Sequence, residues 1–200
     1  QDAYHEQRLN HVIRATILFS YGVQSIAFDE VQLNTHVLAL EKVEMIWQDG
    51  EIYQAPARDL LPHPIQLDDL NLRGELTVYL ALPIIQPHKK NVSYDESVRP
   101  SRYHSHLTET HDLFTDATVA DITLLRRRAE FKIFESSIEP NHELDGFLYL
   151  PVAKVKRQSS GSFELDHKFI PPILHIDACE TLISALKRTL NVIKAKIKTI

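Results

Sequence analysis

LTVYLALPII, residues 76–85, is the stretch whose reading decides the fold. Leu76, Val78, Leu80 and Leu82 recur at every second position, and the intervening Thr77, Tyr79 and Ala81 are largely apolar as well. An extended segment of this kind can be buried on both faces, which predicts a central strand. Working outward, short β-rich segments lie at VQSIAF (23–28), at VLALEKVEMIW (37–47) and around Ile52 and Tyr53. Asp49-Gly50 falls between the last two and predicts a hairpin with a type I′ turn. Further strands are expected at 100–107, 117–125, 130–135 and 147–156, with Ser159-Ser160-Gly161 turning the last of them toward Ser162–Leu165. Residues 55–74 hold Pro56, Pro62 and Pro64, which remove backbone donors, and read as a surface connection. Many short strands with almost no helix between them predict a mainly β chain folded as an antiparallel β-sandwich.

The period changes at both ends. Residues 3–18 place Leu9, Val12, Ile13 and Thr16 at helical spacing, so residues 1–20 are expected to form an N-terminal helix packing on a sandwich of residues 21–175. After Pro171-Pro172, Asp177 and Glu180 resemble a capping box at the start of a helix over 176–200. Cys179, Ile183, Leu186, Leu190, Ile193, Ile197 and Ile200 then alternate in steps of four and three. In heptad terms Ile183, Leu190 and Ile197 are at a, and Cys179, Leu186, Ile193 and Ile200 at d. Such a seam is an oligomer interface, and isoleucine at both positions favours three or four strands over two. The same spacing would also serve a helix packed inside its own chain.

Composition sets bounds on function. With 200 residues, 44% hydrophobic and 24% charged, the chain can bury a core, and no apolar run reaches the roughly 18 residues of a membrane span. A single cysteine and no signal-like start predict a reducing, cytoplasmic setting. The start at Gln1 and the stop at Ile200 inside a heptad lead us to expect a portion of a longer protein. Residues 181–200 hold five basic and no acidic side chains, so the first 180 carry 17 basic against 27 acidic. The basic tail reads as a solvated or partner-paired helix face, and neither nucleic acid nor membrane insertion is expected.

The residues that could carry chemistry lack companions. His104, His106 and His111, with Asp112 nearby, are the densest candidate metal set, but no HExxH or second cysteine accompanies them. There is no GxSxG, and a cysteine at a d position behaves as a small hydrophobe. The five glycines are isolated from one another, which excludes a P-loop or Rossmann turn. Arg126-Arg127-Arg128 reads as a solvated or paired cluster, and Asp68-Asp69 has no pocket to give it meaning. The expectation is a protein without catalytic residues, metal or cofactor.

The order of the pieces carries a resemblance. YHEQRL at 4–9, the hairpin at Asp49-Gly50, VYLALP at 78–83, GFLYLPVAKV at 146–155 and FIPPILHI at 169–176 leading into the heptad helix resemble the TssK family of type VI secretion baseplate subunits. The resemblance implies a sandwich similar to the shoulder domain of phage receptor-binding proteins, docking onto TssF and TssG. It implies a homotrimeric helical stalk beginning at 176–200, and contact with TssM, TssL and TssJ of the membrane complex through a C-terminal head lying outside this sequence. The alternative is a phage-like receptor- or ligand-binding module, with a groove of the sandwich or the His104–His111 strand as its site.

Overall fold

The computed structural model describes residues 19–70, 74–94, 100–111, 119–137 and 142–197. The N-terminal helix expected over 1–20 falls almost wholly outside them. In chain order the strands are β1 (Gly22–Phe28), β2 (Val37–Leu38), β3 (Leu40–Ile46), β4 (Ile52–Ala55), β5 (Ile65–Gln66) and β6 (Glu75–Pro83). They continue with β7 (Val92–Ser93), β8 (Tyr103–His111), β9 (Val119–Arg127), β10 (Glu130–Glu135), β11 (Phe147–Arg157) and β12 (Phe163–Leu165). Two α-helices are described, α1 (Glu30–Asn34) and α2 (Glu180–Ile197).

β6 is central, as its pattern requires. It pairs antiparallel with β10 on one side and β11 on the other, in a sheet of order β10-β6-β11-β12. Leu76, Val78, Leu80 and Leu82 are all buried and face a core shared with the second sheet, β1-β3-β4, which contributes Val23, Val43, Met45 and Tyr53. The two sheets over one core make the antiparallel sandwich. On the other face of β6, Tyr79 lies edge-on to Phe134 and Tyr149 at 5.9 and 6.0 Å, which explains why the intervening positions are also apolar. Burying a leucine of this kind contributes about 2 kcal/mol, so the strand's four core residues are a large part of the sandwich's cohesion.

Other expectations needed correction. The hairpin at Asp49-Gly50 forms, but its turn is not type I′. Trp47 N–H donates to the Glu51 carbonyl at 3.0 Å and Gly50 N–H to the Trp47 carbonyl at 2.9 Å, enclosing a loop of Gln48, Asp49 and Gly50. Only Gly50 has a positive φ, 89°, the arrangement of a three-residue loop closed by a left-handed glycine. The strand expected over 37–47 is two strands: it breaks at buried Ala39, with β2 leaving to pair with β5 and β3 entering the β1 sheet. The sequence reading also passed over α1. Asp29 caps this short helix, accepting from Gln32 N at 2.9 Å and from Gln32 Nε2 at 2.6 Å, so that one carboxylate satisfies an orphan backbone donor and holds the Gln32 side chain.

Residues 55–74 are more than a surface connection. Asp59 is 3% and Leu67 1% exposed. Asp59 can be buried because its carboxylate accepts from Gln54 N and Arg127 N, each at 3.0 Å, which offsets the cost of removing a charge from water.

Candidate functional site

Two features stand out from the body, and each is built by residues far apart in sequence. The first is the helix α2. Its entry is fixed by a parallel bridge between Val23 and Ile173, with Val23 N donating to the Pro172 carbonyl at 2.8 Å and Leu174 N to the Val23 carbonyl at 3.0 Å. Asp177 sits in a 3-10 turn over Ile176–Ala178, so the expected Asp177–Glu180 capping box does not form. The helix is initiated instead at Cys179, whose carbonyl accepts from Leu182 N and Ile183 N, each at 3.1 Å. Cys179 itself has extended backbone angles and is 7% exposed. It therefore packs into the body at the foot of the helix, and the stripe along α2 begins at Ile183.

From there the stripe is open to solvent. Ile183 is half-buried, whereas Leu186, Leu190, Ile193 and Ile197 are 47%, 45%, 48% and 66% exposed. No residue of α2 is buried, and within its own chain the helix packs chiefly on the 3-10 turn that precedes it. The acidic Glu180 at its start and Lys194 and Lys196 in its last turn complement the helix dipole. Among the described residues nothing buries the apolar side of this amphipathic helix.

The second feature is the ribbon of β8 and β9, anchored to the β3–β4 hairpin by a buried ionic cluster. The Arg102 guanidinium, 1% exposed, donates to Asp49, to Glu51 at 3.0 Å and to the Pro83 carbonyl at 3.0 Å. Arg127 Nε donates to Glu51 at 2.6 Å and its Nη1 to Asp59 at 3.3 Å. Tyr103 OH donates to Glu51 at 3.0 Å. Burial would raise the Glu51 carboxyl, but the Arg127 and Arg102 guanidiniums outweigh it and hold the group below the ordinary glutamate value. Burial, then the Glu51 charge, pushes the Tyr103 phenol up.

A group lowered in the folded state stabilises the fold fully above its unfolded value, near pH 4.3, and that contribution is lost as pH falls through the lowered folded value. Glu51→Gln is expected to cost about 1–2 kcal/mol at pH 7, discounted because the side chain is a quarter exposed. The gap between wild type and variant should close on acidification toward pH 3. Urea titrations that find an unchanged gap at pH 3 would show that this carboxylate is not the linked group.

The remaining candidates divide differently. Arg127 and Arg128 of the triple-arginine run are paired, Arg128 with His63 at 2.8 Å. His104 and His106 occupy alternate positions of β8 opposite Arg126 and Leu124. His111 ends the strand and Asp112 lies outside the described residues. Among the described residues, no three His, Cys, Asp or Glu side chains gather as a metal set. An open cavity of about 660 Å³ lies beside the 84–94 loop, and no described carboxylate, imidazole or thiol lines it. The ionic cluster is the part of the site that sequence reasoning missed.

A β-sandwich with an uncovered amphipathic helix and a projecting ribbon is the architecture of an assembly subunit. The family model described as bacterial type VI secretion, with EvfL, ImpJ and VasE, matches residues 1–200, and the chain belongs to this family, that of TssK. It is 25% identical over 197 residues to the type VI secretion system baseplate component TssK1 of Pseudomonas aeruginosa PAO1, covering 96% of this chain and 42% of that protein. A chain of the TssK-TssF-TssG baseplate subcomplex superposes with a TM-score of 0.85 at 24% identity, over 100% of this chain and 64% of the other. TssK of the EAEC type VI system, in complex with a nanobody, gives 0.78 at 24% identity, over 100% and 63%. These likenesses show a shared fold. The chain spans about two fifths of its curated relative and under two thirds of these structures.

Proposed function

We propose that this chain is the baseplate-docking part of a TssK-type adaptor, a structural and non-enzymatic role. In this reading the sandwich docks onto the TssF–TssG wedge and α2 starts a homotrimeric stalk. The link to TssM, TssL and TssJ of the membrane complex is carried by the share of the relatives' length that this chain does not span. The observation that carries the reading is the family match over the whole chain, together with a fold likeness to a TssK-TssF-TssG subcomplex. The uncovered stripe of α2 supports the stalk. No described helix is long and apolar enough to cross a membrane.

The division of labour predicts a separable docking function. A chain ending at Cys179 keeps the thiol that packs into the body and lacks α2. It is expected to bind TssF–TssG with an apparent affinity lower by roughly 10²–10⁴, the usual contribution of linking several copies. Docking through apolar contacts would give a shallow salt dependence, whereas docking through the lysines of α2 would give a steep one and vanish with the helix. Surface-immobilised TssF–TssG provides the measurement. Complete loss of binding by a shortened chain that circular dichroism shows to be folded would move the docking site onto α2.

A further inference from the structure

The ribbon of β8 and β9 carries several exposed apolar side chains. Leu107 and Leu125 are 64% and 53% exposed, and Ile122 and Leu124 are 40% and 37% exposed. The register runs from Tyr103 opposite Arg127 to Glu109 opposite Asp121. Leu107 and Leu125 therefore share the face of Tyr103, and Ile122 and Leu124 share that of His104. Apolar side chains thus stand on both faces, and β9 has no second strand neighbour in its sheet among the described residues. Only the two-residue β7, parallel to the start of β8, adds to the ribbon; so small a sheet is marginal in water by itself, and an open apolar edge is a template for association.

Its charge says what kind of surface would cover it. Glu109 and Asp121 stand directly opposite each other and are exposed, with no cation paired to either among the described residues. Like charges at a cross-strand pair weaken the ribbon, and a basic surface would relieve them. The helix α2 has that complementary character. Lys187 and Lys194, seven residues apart and therefore on one flank of the helix beside the seam, are exposed and pair with no acid among the described residues. Among the described elements of one chain, the ribbon and the helix make no extensive contact.

We propose that the β8–β9 ribbon of one copy packs along one flank of α2 of a second copy, with Glu109 and Asp121 against Lys187 and Lys194. The proposal rests on the reading of α2 as an oligomerisation helix. It assigns the ribbon to a contact between identical chains, separate from the contact with the wedge.

The test is a charge-reversal cycle in the full-length protein, read by sedimentation of the trimer over a dilution series. Glu109→Lys with Asp121→Lys should raise the trimer dissociation constant roughly 10- to 100-fold, because a surface charge contact is repeated in each of three subunits. Lys187→Glu with Lys194→Glu should weaken it comparably, and the four changes together should restore it to within about threefold, since coupled sites are non-additive. Additive losses, or no loss from the ribbon variant, would overturn the proposal. So would a ribbon variant that stays trimeric but no longer binds TssF–TssG, which would make the wedge the occupant. Failure of the underlying reading looks different: the trimer would then survive aspartates placed in the α2 stripe itself.

Discussion

Replacing Leu186 and Ile193 together by aspartate is expected to leave the sandwich folded and to reduce the proposed trimer to monomers. Both side chains are about half exposed within the single chain and touch no core residue of the body. In a monomer the change therefore costs only helix propensity, about 0.5 kcal/mol per site. In a three-helix seam each substitution would bring three carboxylates to one apolar layer, at several kcal/mol apiece unless they ionise toward water. That exceeds what a seam of this length contributes. Ile183 is a poorer site for this test, because it is half-buried at the foot of the helix and its loss would also disturb the body. Light scattering that shows monomers, with unchanged near-ultraviolet circular dichroism, is the expected result. A trimer of unchanged mass would remove α2 from the interface.

Local pattern carried the sequence reading well where the determinant was itself local. β6 was readable because ten successive residues all suit burial, and the turn from β11 to β12 because Ser159-Ser160-Gly161 suits almost nothing else. The heptad stripe was readable for the same reason, with Cys179 the exception. Its spacing fits a d position, but the chain is still extended there and the thiol turns into the body. The break at Ala39 was invisible because both halves of 37–47 have strand character, and what separates them is the partner each finds, β5 or β1. The signal for α1 was present in Asp29 and Gln32, three residues apart, and was passed over because the helix has only five residues. The ionic cluster had no signal. Arg102 and Asp49 are 53 residues apart, and Arg127 and Glu51 are 76 apart, so only the tertiary fold brings them together.

That cluster gives a large expected effect for a substitution outside the hydrophobic core. Arg102→Met keeps most of the side chain's volume and removes its charge. Three acceptors then lose a donor: Asp49, Glu51 and the Pro83 carbonyl. Glu51 retains Arg127 at 2.6 Å and is partly protected, but Asp49 and the carbonyl at the end of β6 lose the bonds that Arg102 supplies. Removing one member of a buried charged group costs about 3–5 kcal/mol when the remaining charge is dry. Asp49 is a third exposed, so about 2–3 kcal/mol is the appropriate figure. For a chain of this size that corresponds to a fall in Tm of about 4–12 °C. Arg126 makes none of these bonds, and Arg126→Met should change stability by less than about 0.5 kcal/mol. Adding Asp49→Asn to Arg102→Met should recover part of the loss by removing the carboxylate charge that Arg102 had balanced, which lost packing alone would not predict. The structural consequence is local as well as global. Arg102 enters β8 and ties it to the β3–β4 hairpin, so amides of β8 and β9 should exchange faster in the variant while those of β6 and β11 follow only the global stability. Equal acceleration across both sheets would show that Arg102 supports the core as a whole and not the anchorage of the ribbon.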